Sequence, residues 1–301
     1  NFSPDMLDWD KIKARRAGVI TGLRTSLEKL FLAKKIEIIR GRAAFTGPGK
    51  VTITGPQGEI KRQFDAAILA AGTRPAFPPV FRDLHAQLTD SDRVFDLPAR
   101  PESLLIIGAG VIGLEFACFF NAIGVRVMVL EILPDLLAGE DPQVTRAVRS
   151  SFEKRGIKFY FGKKAVKITI AATKLVELED GTKLEAAEIL VGAGRAADLA
   201  GMGLETLGLP WDRKGVKVNA FMQTAVPQLY AAGDVNGISP LAHAASRQGE
   251  IAAENIMGAK QAFDADLVPK CVYSWPEVGS VGLNKAAAEA KGFKVKTSRA
   301  F

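Results

Sequence analysis

Three glycines occur in the pattern Gly108-Ala109-Gly110-Val111-Ile112-Gly113, and the apolar run Leu104-Leu105-Ile106-Ile107 leads straight into it. A strand that enters such a turn and leaves as a helix builds a site for the pyrophosphate of a dinucleotide. Gly108 permits the tight reversal, and Gly110 lets the backbone N–H groups around Ala109, Val111 and Ile112 approach the phosphates with no Cβ in the way. Gly113 allows the following helix to pack close to the strand. The helix N-terminus then faces the anion and favours it by about 0.3–1 kcal/mol, up to roughly 2 kcal/mol when partly buried, so oriented N–H bonds supply most of the rest.

A second apolar strand, Val125 to Leu130, ends in Glu131, eighteen positions beyond Gly113. A carboxylate at that strand end accepts hydrogen bonds from the adenosine ribose hydroxyls, whereas a 2′-phosphate would meet a like charge. NAD rather than NADP is therefore the expected cofactor. The plainer alternative is a solvated glutamate that closes a buried strand.

The elements around this site fit an α/β chain. Ser3 and Pro4 form a helix start, followed by apolar positions Leu7, Ile12, Val19, Leu23, Leu27 and Leu30 of an amphipathic helix. Strands are expected at Ile36–Ile39 and on either side of the Gly55-Pro56-Gln57-Gly58 turn, and a short buried strand at residues 66–71. The proline-rich stretch Pro75 to Pro101 reads as a connection between domains. Beyond Glu131, a helix from Asp141 to Arg155, a strand at Ile157–Phe161, a meander over residues 166–185 and a strand at Glu188–Val191 complete a parallel βαβαβ unit and its continuation.

At 301 residues, two domains are the default, and 48% apolar against 24% charged residues describes a globular protein with real cores. The net charge of +7 is spread along the chain without a dense basic tract, which speaks against nucleic acid. No apolar run reaches the roughly 18 residues of a membrane span and no signal-peptide pattern opens the sequence, so the cytoplasm is the expected location. Cys118 and Cys271 are too far apart in sequence for a local redox pair, and Cys118 reads as a small buried hydrophobe. No metal site is expected.

Four further segments carry a resemblance. They are Leu69-Ala70-Ala71-Gly72-Thr73-Arg74-Pro75, Gly192-Ala193-Gly194-Arg195, Thr224 through Ala231-Ala232-Gly233-Asp234, and Tyr273 through Gly282. In order and spacing they resemble the pyridine nucleotide-disulfide oxidoreductases over essentially the whole chain. The resemblance implies an NAD-binding Rossmann-like domain inserted in a partial FAD-binding Rossmann-like domain, followed by the start of an α+β interface domain. It places the first part of the FAD domain at residues 1–100, the NAD domain at 101–222, the second part of the FAD domain at 223–267 and the interface domain at 268–301.

It also implies site residues. Ala71, Gly72 and Thr73 form the turn before the NAD domain, and Gly194 lies in the segment that closes it. Asp234 accepts a hydrogen bond from a ribitol hydroxyl of the flavin, the alternative being a strand-end acid that caps the next helix. Leu241, Ala242 and His243 open a helix aimed at the flavin pyrimidine edge, and His243 is not expected to act as a base. Glu115 lies near the nicotinamide–flavin junction, or is simply a first-turn helix acid.

The family's first GxGxxG, its CxxxxC redox pair and its His-Glu pair do not occur in these residues, so no catalytic residue is assigned. The chain reads as a fragment lacking both ends, less dimeric than its parent and unable to oxidise a dithiol alone. For the parent, the resemblance implies electron flow from a dithiol through a disulfide and FAD to NAD. It further implies a homodimer, and a 2-oxo acid dehydrogenase complex as host assembly. The alternatives are a soluble transhydrogenase, an NADH oxidase or a mercuric-reductase-like flavoprotein, and, in another class, a noncatalytic NAD-binding module.

Overall fold

A computed structural model describes residues 7–298 and 300. Two compact units emerge: one takes in the described residues up to Arg15, Pro75–Arg195 and those from Pro269 onward, the other Arg16–Arg74 and Ala196–Val268.

In the first unit the elements in chain order are β1 (Thr89–Asp90), β2 (Ser103–Ile107), α1 (Val111–Ala122), β3 (Arg126–Glu131), α2 (Pro142–Lys154), β4 (Lys158–Phe161), β5 (Ala165–Ile170), β6 (Lys174–Leu178), β7 (Lys183–Ala186) and β8 (Glu188–Val191). A parallel sheet runs in the order β1-β8-β2-β3-β4, and β5-β6-β7 form a separate antiparallel meander. Every residue of β2 is buried, because both faces of the sheet are covered. Leu104 and Ile106 share one core with Leu114, Ala117 and Phe120 of α1 and Val148 and Phe152 of α2. Leu105 and Ile107 share the other with Val176 and Leu178 of the meander and Ile189 and Val191 of β8. Period-2 alternation within a continuous apolar run thus feeds two cores at once.

Helix α2 begins as its sequence dictates, with Asp141 accepting a hydrogen bond from the Gln143 N–H at 2.7 Å and Pro142 in the first turn. The proline-rich stretch is not a bare connection. It buries Phe81, Leu88 and Val94 and supplies β1, paired in parallel with β8. The buried Asp90 carboxylate is satisfied within the stretch, accepting from the N–H groups of Asp92 and Arg93 and from Arg93 Nε. Cys118 is only half-buried, at the margin of the α1 core.

The first helix spans Trp9–Ala33, and the start expected at Ser3 and Pro4 lies outside the described residues. Asp8 takes up the Lys11 N–H at 3.0 Å instead, and that hydrogen bond holds the Asp8 carboxyl below its ordinary range. Trp9 anchors this end of the helix: its indole N–H donates to the Leu97 carbonyl at 2.9 Å and its ring stacks on Phe95 at 5.9 Å. The expected apolar stripe exists, but Val19, Leu23, Leu27 and Leu30 are exposed among the described residues.

A hairpin of Lys270–Val272 and Val278–Ser280 adds Val272 and Val278 to the α1 core.

In the second unit, strands Arg42–Gly47, Lys50–Gly55 and Gly58–Gln63 form an antiparallel sheet, with the expected turn closed by Gly55 opposite Gly58. The strand expected at Ile36–Ile39 is not formed. Residues 36–40 pair with no strand among the described residues, and an apolar run becomes a strand only where a neighbour takes its backbone groups. The segment expected as a buried strand at 66–71 is shorter, Ala67–Leu69, and Ile68 is exposed. It pairs in parallel with β9 (Leu229–Ala231), which precedes helix α3 (Ala242–Ile256).

Phe120 of α1 is completely buried among aromatic neighbours, with Phe119 at 5.1 Å centroid to centroid. Phe120→Ala is expected to lower the unfolding free energy by about 3–5 kcal/mol in a urea titration.

Candidate dinucleotide sites

In the first unit the reversal between β2 and α1 is set by two close approaches. Gly108 has φ +109°, and a Cβ there would lie 2.6 Å from the Gly192 carbonyl oxygen. A Cβ on Gly113 would lie 2.0 Å from the Gly108 oxygen, so only glycine lets the helix leave the strand at this angle. Gly110 differs from both. Nothing lies within 4 Å of its would-be Cβ, and its φ of −77° suits any residue.

The protein's own packing therefore gives no reason for glycine at 110. Gly110 and Val111 are exposed, Ile112 is half-buried, and no side chain caps this helix start. An anionic group set over this turn would meet backbone N–H groups and no side chain at position 110. Ala109 turns its side chain inward and is 1% exposed.

Glu131, at the end of β3, closes the same turn. One carboxylate oxygen accepts from the Ala109 N–H at 2.6 Å and the other from the Leu133 N–H at 2.9 Å. Each oxygen accepts one protein donor there and retains capacity for another. A ribose diol presents two hydroxyl donors, which fits this carboxylate; a phosphate in the same position would be repelled by it.

Glu115 lies in the first turns of α1 and is half-buried. Its carboxylate accepts from the Tyr273 N–H at 2.9 Å, fastening α1 to the C-terminal hairpin. Gly194, at φ +109°, accepts at its carbonyl from the Ala76 N–H, and Arg195 beside it donates to Ser91 and Asp92.

The second unit gathers a separate set. Gly72 adopts φ +66°, which carries Thr73 back so that its hydroxyl donates to Asp234 at 3.0 Å. Asp234 follows β9 directly after Gly233 and opens a short 3-10 turn through Asn236. Ala71 is exposed and Gly72 half-buried, so the turn has open backbone. Leu241 stands at the N-cap of α3 without a side-chain cap, and Ala242 and His243 are exposed in its first turn. Carboxylate, hydroxyl and helix start suit a polyhydroxylated, anionic cofactor chain.

Sequence reasoning passed over Asn236 and Gln248, which are buried beside Asp234 and bonded to each other. The available signal was a glutamine in the α3 pattern where its neighbours Ala244, Ile251 and Ala252 are core residues.

A strand, a glycine turn, a helix and a second strand that ends in an acid define a Rossmann-type dinucleotide-binding protein. More narrowly, the chain belongs to the pyridine nucleotide-disulphide oxidoreductases, whose family model matches residues 3–249. It is 35% identical to dihydrolipoyl dehydrogenase of Synechocystis sp. over 97% of this chain and 65% of that protein. It is 32% identical to dihydrolipoyl dehydrogenase of Bacillus subtilis over 94% of this chain and 62% of that protein. Among solved structures, LpdA from Mycobacterium tuberculosis superposes with a TM-score of 0.88 at 26% identity, over 95% of this chain and 64% of that one. The chain thus spans under two thirds of the length of these relatives.

The two glycines make a direct comparison. Gly113→Ala forces a contact of 2.0 Å with backbone and is expected to lose more than about 2 kcal/mol of stability. Gly110→Ala enters open space and is expected to stay within about 1 kcal/mol of the parent in the same denaturant titration.

Proposed function

We propose that the chain is the nucleotide-handling part of an NAD-linked flavoprotein disulfide reductase, a dihydrolipoyl dehydrogenase. The observation that carries this reading is the joint presence of the Gly108–Glu131 site and the Thr73–Asp234 pair. A chain that bound NAD alone would have no use for the second. The relatives named dihydrolipoyl dehydrogenase, at 32–35% identity, support the same activity.

In this reading residues 101–222 bind NAD, 1–100 with 223–267 contribute to the FAD domain, and 268–301 begin the interface domain. Gly108, Ala109, Gly110, Val111, Ile112 and Gly113 take the NAD pyrophosphate, and Glu131 takes the adenosine ribose. Ala71, Gly72, Thr73, Asp234, Leu241, Ala242 and His243 line the flavin side, while Glu115 and Gly194 support the nicotinamide end. Together the two cofactors supply hydride transfer between flavin and nicotinamide, and the protein's part is to hold and orient them. The whole protein works as a homodimer in the cytoplasm and serves a 2-oxo acid dehydrogenase complex.

The test is made on the full-length protein. NAD-dependent oxidation of dihydrolipoamide is expected. NADH oxidation by oxygen with no turnover of the dithiol would overturn the reading in favour of an oxidase.

NADH is expected to bind at least tenfold more tightly than NADPH in a fluorescence titration, and tighter NADPH binding would remove the role given to Glu131. Glu131→Ala is expected to weaken NADH by about tenfold and to narrow the gap between the two cofactors. Gly110→Ala should weaken NADH by a similar factor while the protein remains folded.

A further inference from the structure

Gln248 lies in the interior of α3 and is 0% exposed. Its Oε1 accepts two hydrogen bonds, from the Gly233 N–H at 2.7 Å and from Asn236 Nδ2 at 2.8 Å. Asn236 is itself held by backbone at both ends of its amide. Its Nδ2 also donates to the Ala231 carbonyl at 3.1 Å, and its Oδ1 accepts from the Ile238 N–H at 3.0 Å. These anchors determine the orientation of both side chains. With the Gln248 amide turned over, its N–H₂ would face two donors. In the orientation they require, Nε2 is buried and has no acceptor among the described residues. Burying an amide nitrogen unpaired is unfavourable, so the working atom of this residue is its oxygen.

The peptide that this oxygen holds is Ala232–Gly233, one residue ahead of Asp234. Gly233, at φ +81°, links β9 to the turn, and its carbonyl accepts from the Asn236 N–H at 3.1 Å. Asp234 is therefore held at its carboxylate by the Thr73 hydroxyl, while the glycine before it is held at its N–H by Gln248. The Gly233 N–H lies one residue ahead of the Asp234 side chain, so its anchor bears on where the turn places that carboxylate.

We propose that Gln248 is a positioning residue for the flavin site, which sets the Gly233-Asp234 turn through Oε1, and that its position requires a double acceptor rather than an amide. The proposal rests on the reading of Asp234 as a ligand of the flavin chain. It makes a chemical distinction between replacements. Gln248→Glu keeps an acceptor for both donors and removes the unpaired N–H₂, whereas Gln248→Met keeps the length and removes the acceptor.

The experiment measures FAD affinity of the full-length apoprotein by flavin fluorescence titration, together with the visible absorption envelope of bound flavin and thermal unfolding of each apoprotein. Asp234→Ala is expected to weaken FAD by at least tenfold, Gln248→Met by about five- to tenfold with an altered flavin envelope, and Gln248→Glu by less than threefold. Because Gln248 acts through Asp234, the double variant Asp234→Ala/Gln248→Met should bind FAD within about twofold of Asp234→Ala alone.

If Gln248→Met lowers the melting temperature but leaves FAD affinity within twofold, Gln248 only packs the core and the proposal falls while Asp234 keeps its role. Full additivity in the double variant overturns it in the same way. If Asp234→Ala binds FAD normally, the ligand reading falls and the proposal falls with it. Should Gln248→Met give no folded protein, Gln248→Asn withdraws the same amide by one methylene; a three- to fivefold loss supports the proposal, and affinity within twofold overturns it.

Discussion

The contact on which the first unit depends is the approach of helix α1 to the end of β2, where the Gly108 carbonyl occupies the space that a side chain at 113 would fill. Gly108 in turn sits against the Gly192 carbonyl after β8. Three chain segments therefore converge at one turn with no room for a methyl group at either glycine. That convergence aims the helix start outward and keeps the inner face of α1 on Leu104 and Ile106, where Phe120 and Phe152 complete the core. Without it, helix and sheet would separate and the exposed backbone at Gly110 would lose its support.

Electrostatics then complete what packing begins. Glu131 uses its carboxylate to tie the Ala109 and Leu133 N–H groups, so a single acid both closes the turn and presents negative charge at the strand end. Charge-assisted bonds to backbone N–H groups are the stronger kind, and here they fix the carboxylate's direction before any ligand arrives. Preorganisation of this sort reduces the ordering that binding must supply. In the second unit Thr73 plays the comparable part for Asp234.

Local pattern accounts for much of this. The β2–α1–β3 succession, the Asp141 cap of α2, the meander and the Gly55–Gly58 turn follow from periodicity and turn chemistry over a few residues. The departures share a cause. Ile36–Ile39 and residues 66–71 have strand composition, but strand formation depends on a partner that composition does not name. The proline-rich stretch looks like a connection because its apolar residues, Phe81, Leu88 and Val94, follow no regular period.

From its sequence alone the chain declares its class: the glycine spacing, the apolar strand before it and the acid eighteen positions after it are short-range features, written in residue type. The tertiary structure decided what each polar side chain meets. Glu115 finds the Tyr273 N–H across 158 residues and Thr73 finds Asp234 across 161. Gln248, an unremarked position in a helix, becomes the acceptor behind the Asp234 turn. The physical reason is that hydrogen bonds are satisfied by proximity in space, and in a chain closed over such long loops proximity is a property of the packed fold rather than of neighbouring residues.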